Sequence, residues 1–276
     1  MRRALIRPTV AGVLLAALST GCAEEFDSRT LLTGYRVLGI AAEPPEAGPE
    51  ARVRVTVADV NVAGATYRWS LCFFDLGALT GYRCADPALD VVLAGDGPSI
   101  VVDYGPMGLD LRALYDAYGP FPGADGRLRT FEDGIDLLLK LESGPPGGRR
   151  ITTVKTLVVR EGRPPNLNPV ITGLTLDGDA GMTTAAPGDK VVLAVTLSAD
   201  SLQTYDDAYL GEQTESPVFT WYTTAGAVDP KISFGADRRS TLKVPKDATG
   251  EVFAYVAVRD GRGGFAVASG TVLIAP

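Results

Sequence analysis

Ala51-Arg-Val-Arg-Val-Thr-Val57 decides the fold class of this chain. Val53, Val55 and Val57 share one face of an extended segment, and Arg52, Arg54 and Thr56 share the other. That period of two is the signature of an antiparallel strand with one buried and one wet face. The neighbouring segments fit it. Tyr35-Arg-Val-Leu-Gly-Ile40 reads as a preceding strand, ended by Glu43-Pro-Pro-Glu-Ala-Gly-Pro49, because proline cannot donate to a ladder. Tyr67-Arg-Trp-Ser-Leu71 alternates too, with Tyr67, Trp69 and Leu71 inward.

The series then recurs. Pro169–Leu176 is again a first strand, followed by a Gly/Asp/Pro stretch to Gly188. Lys190–Leu197 is the second strand, and Val218-Phe-Thr-Trp-Tyr222 the third, with Trp221 at the place of Trp69. Each half closes on two apolar runs joined by a glycine-rich turn: 134–141 with 151–159, and 250–258 with 265–274. These read as hairpins. The expected fold is therefore all-β, with two tandem sandwiches over 34–161 and 169–276. Gly162-Arg-Pro-Pro-Asn-Leu-Asn168 between them reads as a stiff proline-rich linker.

Two insertions break the symmetry. Within 73–131, Leu111, Leu114, Tyr115 and Tyr118 follow helical spacing between Gly108 and Gly119. They predict one short helix laying an apolar face over the first sandwich. In the second copy, 198–217 is a long polar loop, and loops a sandwich does not need are often functional. A lone tryptophan on each third strand resembles the immunoglobulin-like and PKD-like sandwiches of bacterial surface proteins, where such a residue fills the core. Neither copy has the inter-sheet disulfide of antibody domains.

The N-terminus carries an address. Arg2, Arg3 and Arg7 precede the apolar run Val10–Leu18, then Ser19-Thr-Gly21 and Cys22. Basic, apolar and small residues in that order form a secretory signal, and the run is short of the roughly 20 residues that span a bilayer. A cysteine at the cut resembles the lipobox of bacterial lipoproteins. The resemblance implies removal of 1–21, acylation of Cys22 as the mature N-terminus, and a tether over 22–33. Ser19 stands where leucine is usual. Ala23, rather than aspartate, implies sorting to an outer membrane. On this reading the first sandwich lies nearest the membrane and the second projects outward. Cys72 and Cys84, an even pair in an exported chain, read as a disulfide, with two buried thiols the alternative.

Composition narrows the chemistry. The chain carries 26 basic and 33 acidic residues, a net charge of −7. An acidic surface argues against nucleic acid as a partner. There is no histidine, which excludes Ser-His-Asp and Cys-His catalysis and histidine-ligated zinc. Carboxylate-only glycoside hydrolysis stays formally open, yet no two acids are set across a cleft by any motif. Asp177, Asp179 and Asp260 are calcium candidates set against their ordinary role as turn formers. Arg259-Asp-Gly-Arg-Gly-Gly264 lacks a Walker lysine and reads as a hairpin turn. Tyr205, Asp206, Asp207 and Tyr209 in the polar loop are the ligand-binding candidates, and Phe73, Phe74, Tyr82, Tyr115, Tyr118 and Phe121 could add an aromatic platform. The expectation is a non-catalytic binding, adhesion or structural lipoprotein without a cofactor. Its partners would be the bilayer, through Cys22, and an envelope protein or glycan. The alternatives are an accessory subunit of an envelope assembly or secretion complex and, more remotely, a carbohydrate-active or carbohydrate-binding module.

Overall fold

A computed structural model describes residues 29–122, 126–207 and 211–275. The chain forms, in order, β1 Arg36–Glu43, β2 Glu46–Ala47, β3 Arg52–Val60, β4 Thr66–Cys72, β5 Asp90–Val92, β6 Ser99–Asp103, α1 Leu111–Tyr118, β7 Phe121–Pro122, β8 Leu128–Arg129, β9 Ile135–Gly144 and β10 Ile151–Val159. The second half adds β11 Ile171–Leu176, β12 Asp179–Ala180, β13 Met182–Ala185, β14 Lys190–Leu197, β15 Thr204–Asp207, β16 Gly211–Thr214, β17 Val218–Thr223, β18 Ala227–Asp229, β19 Ile232–Phe234, β20 Arg239–Lys243, β21 Gly250–Arg259 and β22 Phe265–Ile274.

These strands make two sandwiches of one plan. In the first, sheet β1-β3-β6 faces sheet β2-β10-β9-β4-β5. In the second, β12-β11-β14-β20-β18 faces β13-β22-β21-β17-β19. Each first strand is split. Its first part pairs antiparallel in one sheet (β1 with β3, β11 with β14), and its second part crosses to run parallel to the last strand (β2 with β10, β13 with β22). This is the strand order of an immunoglobulin-like sandwich. The proline-rich stretch 43–49, expected only to end a strand, carries the crossing. It leaves one sheet after Glu43 and joins the other at Glu46.

The valines that announced the fold do what alternation demands: Val53, Val55 and Val57 are buried in the first core, and Val191, Leu193, Val195 and Leu197 in the second. The two tryptophans are fully buried and equivalent by register. Trp69 stands opposite Leu141 and donates Nε1–H to Gly97 O at 3.0 Å; Trp221 stands opposite Val256 and donates to Ser233 Oγ at 3.2 Å. A buried indole N–H without an acceptor would be costly, so each sandwich supplies one.

The helix is capped by the Asp110 carboxylate, which accepts from Ala113 N. Leu111 is buried on the first core, and Leu114 and Tyr115 pack against it, while Tyr118, expected on the same face, is exposed. Cys72 and Cys84 are bonded, with Cα atoms 5.6 Å apart. The polar loop 198–217 is not irregular throughout: β15 and β16 pair as a small hairpin inside it.

Candidate functional site

The sandwiches do not stand apart on a spacer. Their union begins with a bulge in β1. The register shifts between Val37 and Gly39, so one extra residue enters the strand. Val37 and Ile40 point into the first core, whereas Leu38 is turned to the outer face. There Leu38, Val60, Ala58 and Leu32 pack against Tyr222 and Tyr255 of the second sandwich. Burial raises the Tyr255 phenol above its ordinary pKa. The Phe265 ring lies against Gly39 so closely that a Cβ there would fall inside it.

Polar bonds finish the seam. Glu46 is buried and accepts from Asn166 N at 3.0 Å and Arg262 Nη2 at 3.2 Å. Arg160 Nη1 lies 3.0 Å from its other oxygen without the alignment of a hydrogen bond. Arg262 also reaches buried Glu215 at 3.1 Å and stacks 4.4 Å from the centroid of Tyr205. Desolvation pushes the Glu215 carboxyl up in pKa. The expected linker is thus part of the seam. Asn166 is fully buried and donates Nδ2–H to Asp260, while Asn168 donates to Ala42 O and accepts from Phe265 N. Two asparagines between apolar and charged layers satisfy donors and acceptors from both sides.

The expected tether also differs. Residues 30–32 bind the second sandwich, with Leu32 N donating to Thr223 O at 2.8 Å and Thr223 N to Thr30 O at 2.9 Å. The end of β17 is open there because β19 covers only Val218–Thr220. The second sandwich therefore does not simply project away from the first. The chain touches it before entering β1.

Between the sandwiches lies a cleft of about 490 Å³. β1 and β10 form one wall and Tyr222, Arg259 and the 261–265 turn the other. Two cations sit in it. Lys155 donates Nζ–H to Gly263 O, and Arg259 donates Nη2–H to Leu38 O at 2.7 Å, its guanidinium 5.2 Å from the centre of the Phe265 ring. Burial lowers the Lys155 pKa to about 8; nearby Asp260 raises it in part and Arg259 lowers it further. On the far side of the seam Arg160 and Arg262 are matched by Glu46 and Glu215, but among the described residues no acidic side chain lines this cleft. A part-buried ammonium with no carboxylate in contact carries a desolvation cost, so the cleft presents positive charge that no ion pair balances.

The residues singled out from sequence fall elsewhere. Asp177 is in a left-handed turn and accepts from Val192 N, and Asp179 accepts from Thr183 Oγ1. Asp260 is buried in the seam, its oxygens taken by Asn166, Arg262 N and Gly264 N. The three do not converge; among the described residues no three acidic or cysteine side chains gather as a metal site would need. Tyr205 is occupied by Arg262, Asp206 is exposed beside it, and Asp207 is placed by its backbone in β15. Cys22 and Tyr209 lie outside the described residues. The aromatics named as a platform are dispersed: Phe73 is buried, Phe74 partly exposed, and Tyr115 packs on Phe131 at 5.0 Å. Lys155, Arg259, Asn166 and Asn168 were the residues that sequence missed. A lysine in the apolar run Ile151–Val159 was the one signal available for them.

No family model matches the chain, and no curated protein matches it. Solved structures do. A nucleoside hydrolase-related protein from Saccharophagus degradans is 14% identical over 40% of this chain and 26% of its own, with a TM-score of 0.29. This chain spans about a quarter of that protein. The fibronectin(III)-like modules of Clostridium thermocellum CbhA give 13% identity, coverage of 87% and 93%, and a TM-score of 0.27. The Ig1-2 module of the Drosophila receptor tyrosine phosphatase DLAR gives 11%, 88%, 100% and 0.29 on the same measures. Likenesses at these scores say nothing of activity, substrate or partner. The chain is a tandem immunoglobulin-like β-sandwich protein by its own strand order.

Proposed function

We propose that this protein is an exported, lipid-anchored and non-catalytic binding module of the cell envelope, whose working surface is the seam between its two sandwiches. The observation that carries the reading is the cleft itself: both sandwiches contribute walls, and a layer of buried polar and apolar contacts fixes their relation. A preorganised concave site of this kind binds without an ordering cost. The Cys72–Cys84 bond supports an oxidising compartment. The basic leader and Cys22 support export and acylation, with the outer membrane as destination. The absence of histidine from the sequence, and the commitment of the seam acids to arginine and backbone donors, support binding over catalysis.

Crosslinking in intact membranes followed by mass spectrometry tests this reading, with crosslinks to one envelope component expected around residues 153–155 and 259–265. Cys22→Ser should move the protein from the detergent to the aqueous phase. A wild-type protein already found in the aqueous phase would remove the anchor from the proposal.

A further inference from the structure

We propose that the seam cleft is a binding site for a small organic anion, a carboxylate or phosphate borne on an apolar body. The inference deepens the binding reading above and rests on it. Four observations lead to it. Lys155 and Arg259 enter one cleft from opposite sandwiches; among the described residues neither meets a carboxylate, and their side-chain bonds are to the carbonyls of Gly263 and Leu38. In a chain with a net charge of −7, a lining with two cations and no acid is not the average surface. Asp260 acts on Lys155 only from a distance, because its oxygens accept from Asn166 Nδ2, Arg262 N and Gly264 N and it makes no ion pair with the lysine. Finally, the N–H groups of Gly261 and Gly263, two residues of the cleft lining, take no acceptor among the described residues. Two cationic side chains and unbonded backbone donors on the walls of one cleft are the elements of an oxyanion site.

The size and the other walls define the rest of the ligand. About 490 Å³ exceeds what a bare anion fills and falls within the range of roughly 300–1,000 Å³ for small-molecule sites. Leu38, Tyr222 and Phe265 give the cleft apolar and aromatic surface. An anion carried on a ring or short aliphatic body would satisfy both parts. Binding would also offset the cost of burying the Lys155 charge. The titratable and charged groups around that ammonium are Arg259 and Tyr222 across the cleft and Asp260 in the turn. Lys155 is the one that changes charge near pH 8, so affinity should fall as pH rises through that value.

The test uses the full-length protein in detergent, titrated with phenyl phosphate and benzoate and followed by calorimetry and by the Tyr and Phe resonances of the cleft. Inorganic phosphate and benzyl alcohol serve as the anion and the apolar body alone. Short-chain phosphatidate vesicles separate a lipid headgroup from a soluble ligand. Expected is saturable binding of phenyl phosphate or benzoate at least tenfold tighter than either half, weakened at least tenfold by Lys155→Met and between pH 7 and 9.5. Because Lys155→Met also removes a seam bond, Thr153→Glu provides a second variant. It leaves the Gly263 and Leu38 bonds in place, puts a carboxylate on the cleft wall, and should reduce binding as much. No saturable binding of either anion at 10 mM, or equal binding by both folded variants, overturns the proposal. If crosslinks form at the cleft while these anions fail, the ligand class is wrong and the binding module stands. If the anions bind and no envelope component crosslinks, the reverse holds.

Discussion

Gly39 and Gly173 occupy the same place in the two sandwiches, and their fates differ. Both follow a bulge in the first strand, where the register shifts between Val37 and Gly39 and between Ile171 and Gly173. At the first, the Phe265 ring fills the notch and Leu38, Ala58 and Val60 cover its surroundings. At the second, nothing lies within 4 Å of where a Cβ would stand, and the equivalent outer positions are the exposed Thr172 and Thr196 and then Ser198. The backbone irregularity is common to the plan; the side chains around it decide whether it becomes an interface. Sandwich-to-sandwich docking here is an addition of a few apolar residues to an existing geometry, not a different fold.

Three measurements break or sharpen that contrast. Leu38→Asp would bury a carboxylate at the seam and should cost about 3 kcal/mol or more. Thr172→Asp, on the bare counterpart, should stay within about 0.5 kcal/mol. Denaturant midpoints give both numbers, and cleavage within 162–168 by limited proteolysis should appear in the first variant alone. Gly39→Val should cost about 1–3 kcal/mol by forcing Phe265 aside, whereas Gly173→Val should change stability by less than about 0.5 kcal/mol. Equal effects at the two glycines would mean that the bulge, not the docking, sets the requirement.

The smallest effect concerns pH. Burial depresses Lys155 in the folded chain to about 8, from an ordinary 10.5. Between those values the unfolded chain binds the extra proton, so stability rises with pH across that window. A gain on the order of 1 kcal/mol from pH 7.5 to 10 is expected, absent in Lys155→Met. By register the counterpart of Lys155 in the second sandwich is Gly270, so the response belongs to the seam. Tyr35, Tyr67, Tyr104 and Tyr255, whose pKa values are raised, pull the other way towards pH 10, so the readout is the difference between the two proteins, and identical profiles for wild type and Lys155→Met would remove Lys155 from the interior of the cleft.

Much of each sandwich was legible because burial leaves a period in the sequence. Val53–Val57 and Lys190–Leu197 alternate, and Trp69 and Trp221 mark the third strands. The bulges were not legible. Tyr35–Ile40 reads as an even strand, and the parity change that turns Leu38 outward has no compositional mark. The seam was least legible of all. Asn166 and Asn168 look like ordinary polar linker residues until the donors of one sandwich and the acceptors of the other are brought to them. The Asp177, Asp179 and Asp260 candidates illustrate the converse. Acids in turns are common in sequence, and only three-dimensional placement shows that their oxygens serve nearby N–H and O–H donors.

The short pairing of Thr30 and Leu32 with Thr223 has a mechanical consequence. Tension applied through the N-terminal segment is carried first into β17 of the second sandwich, ahead of β1. The load is thereby shared across the seam before any strand of the first core is sheared. In a single-molecule stretching record this would appear as a small early rupture that lengthens the chain slightly and leaves both cores intact.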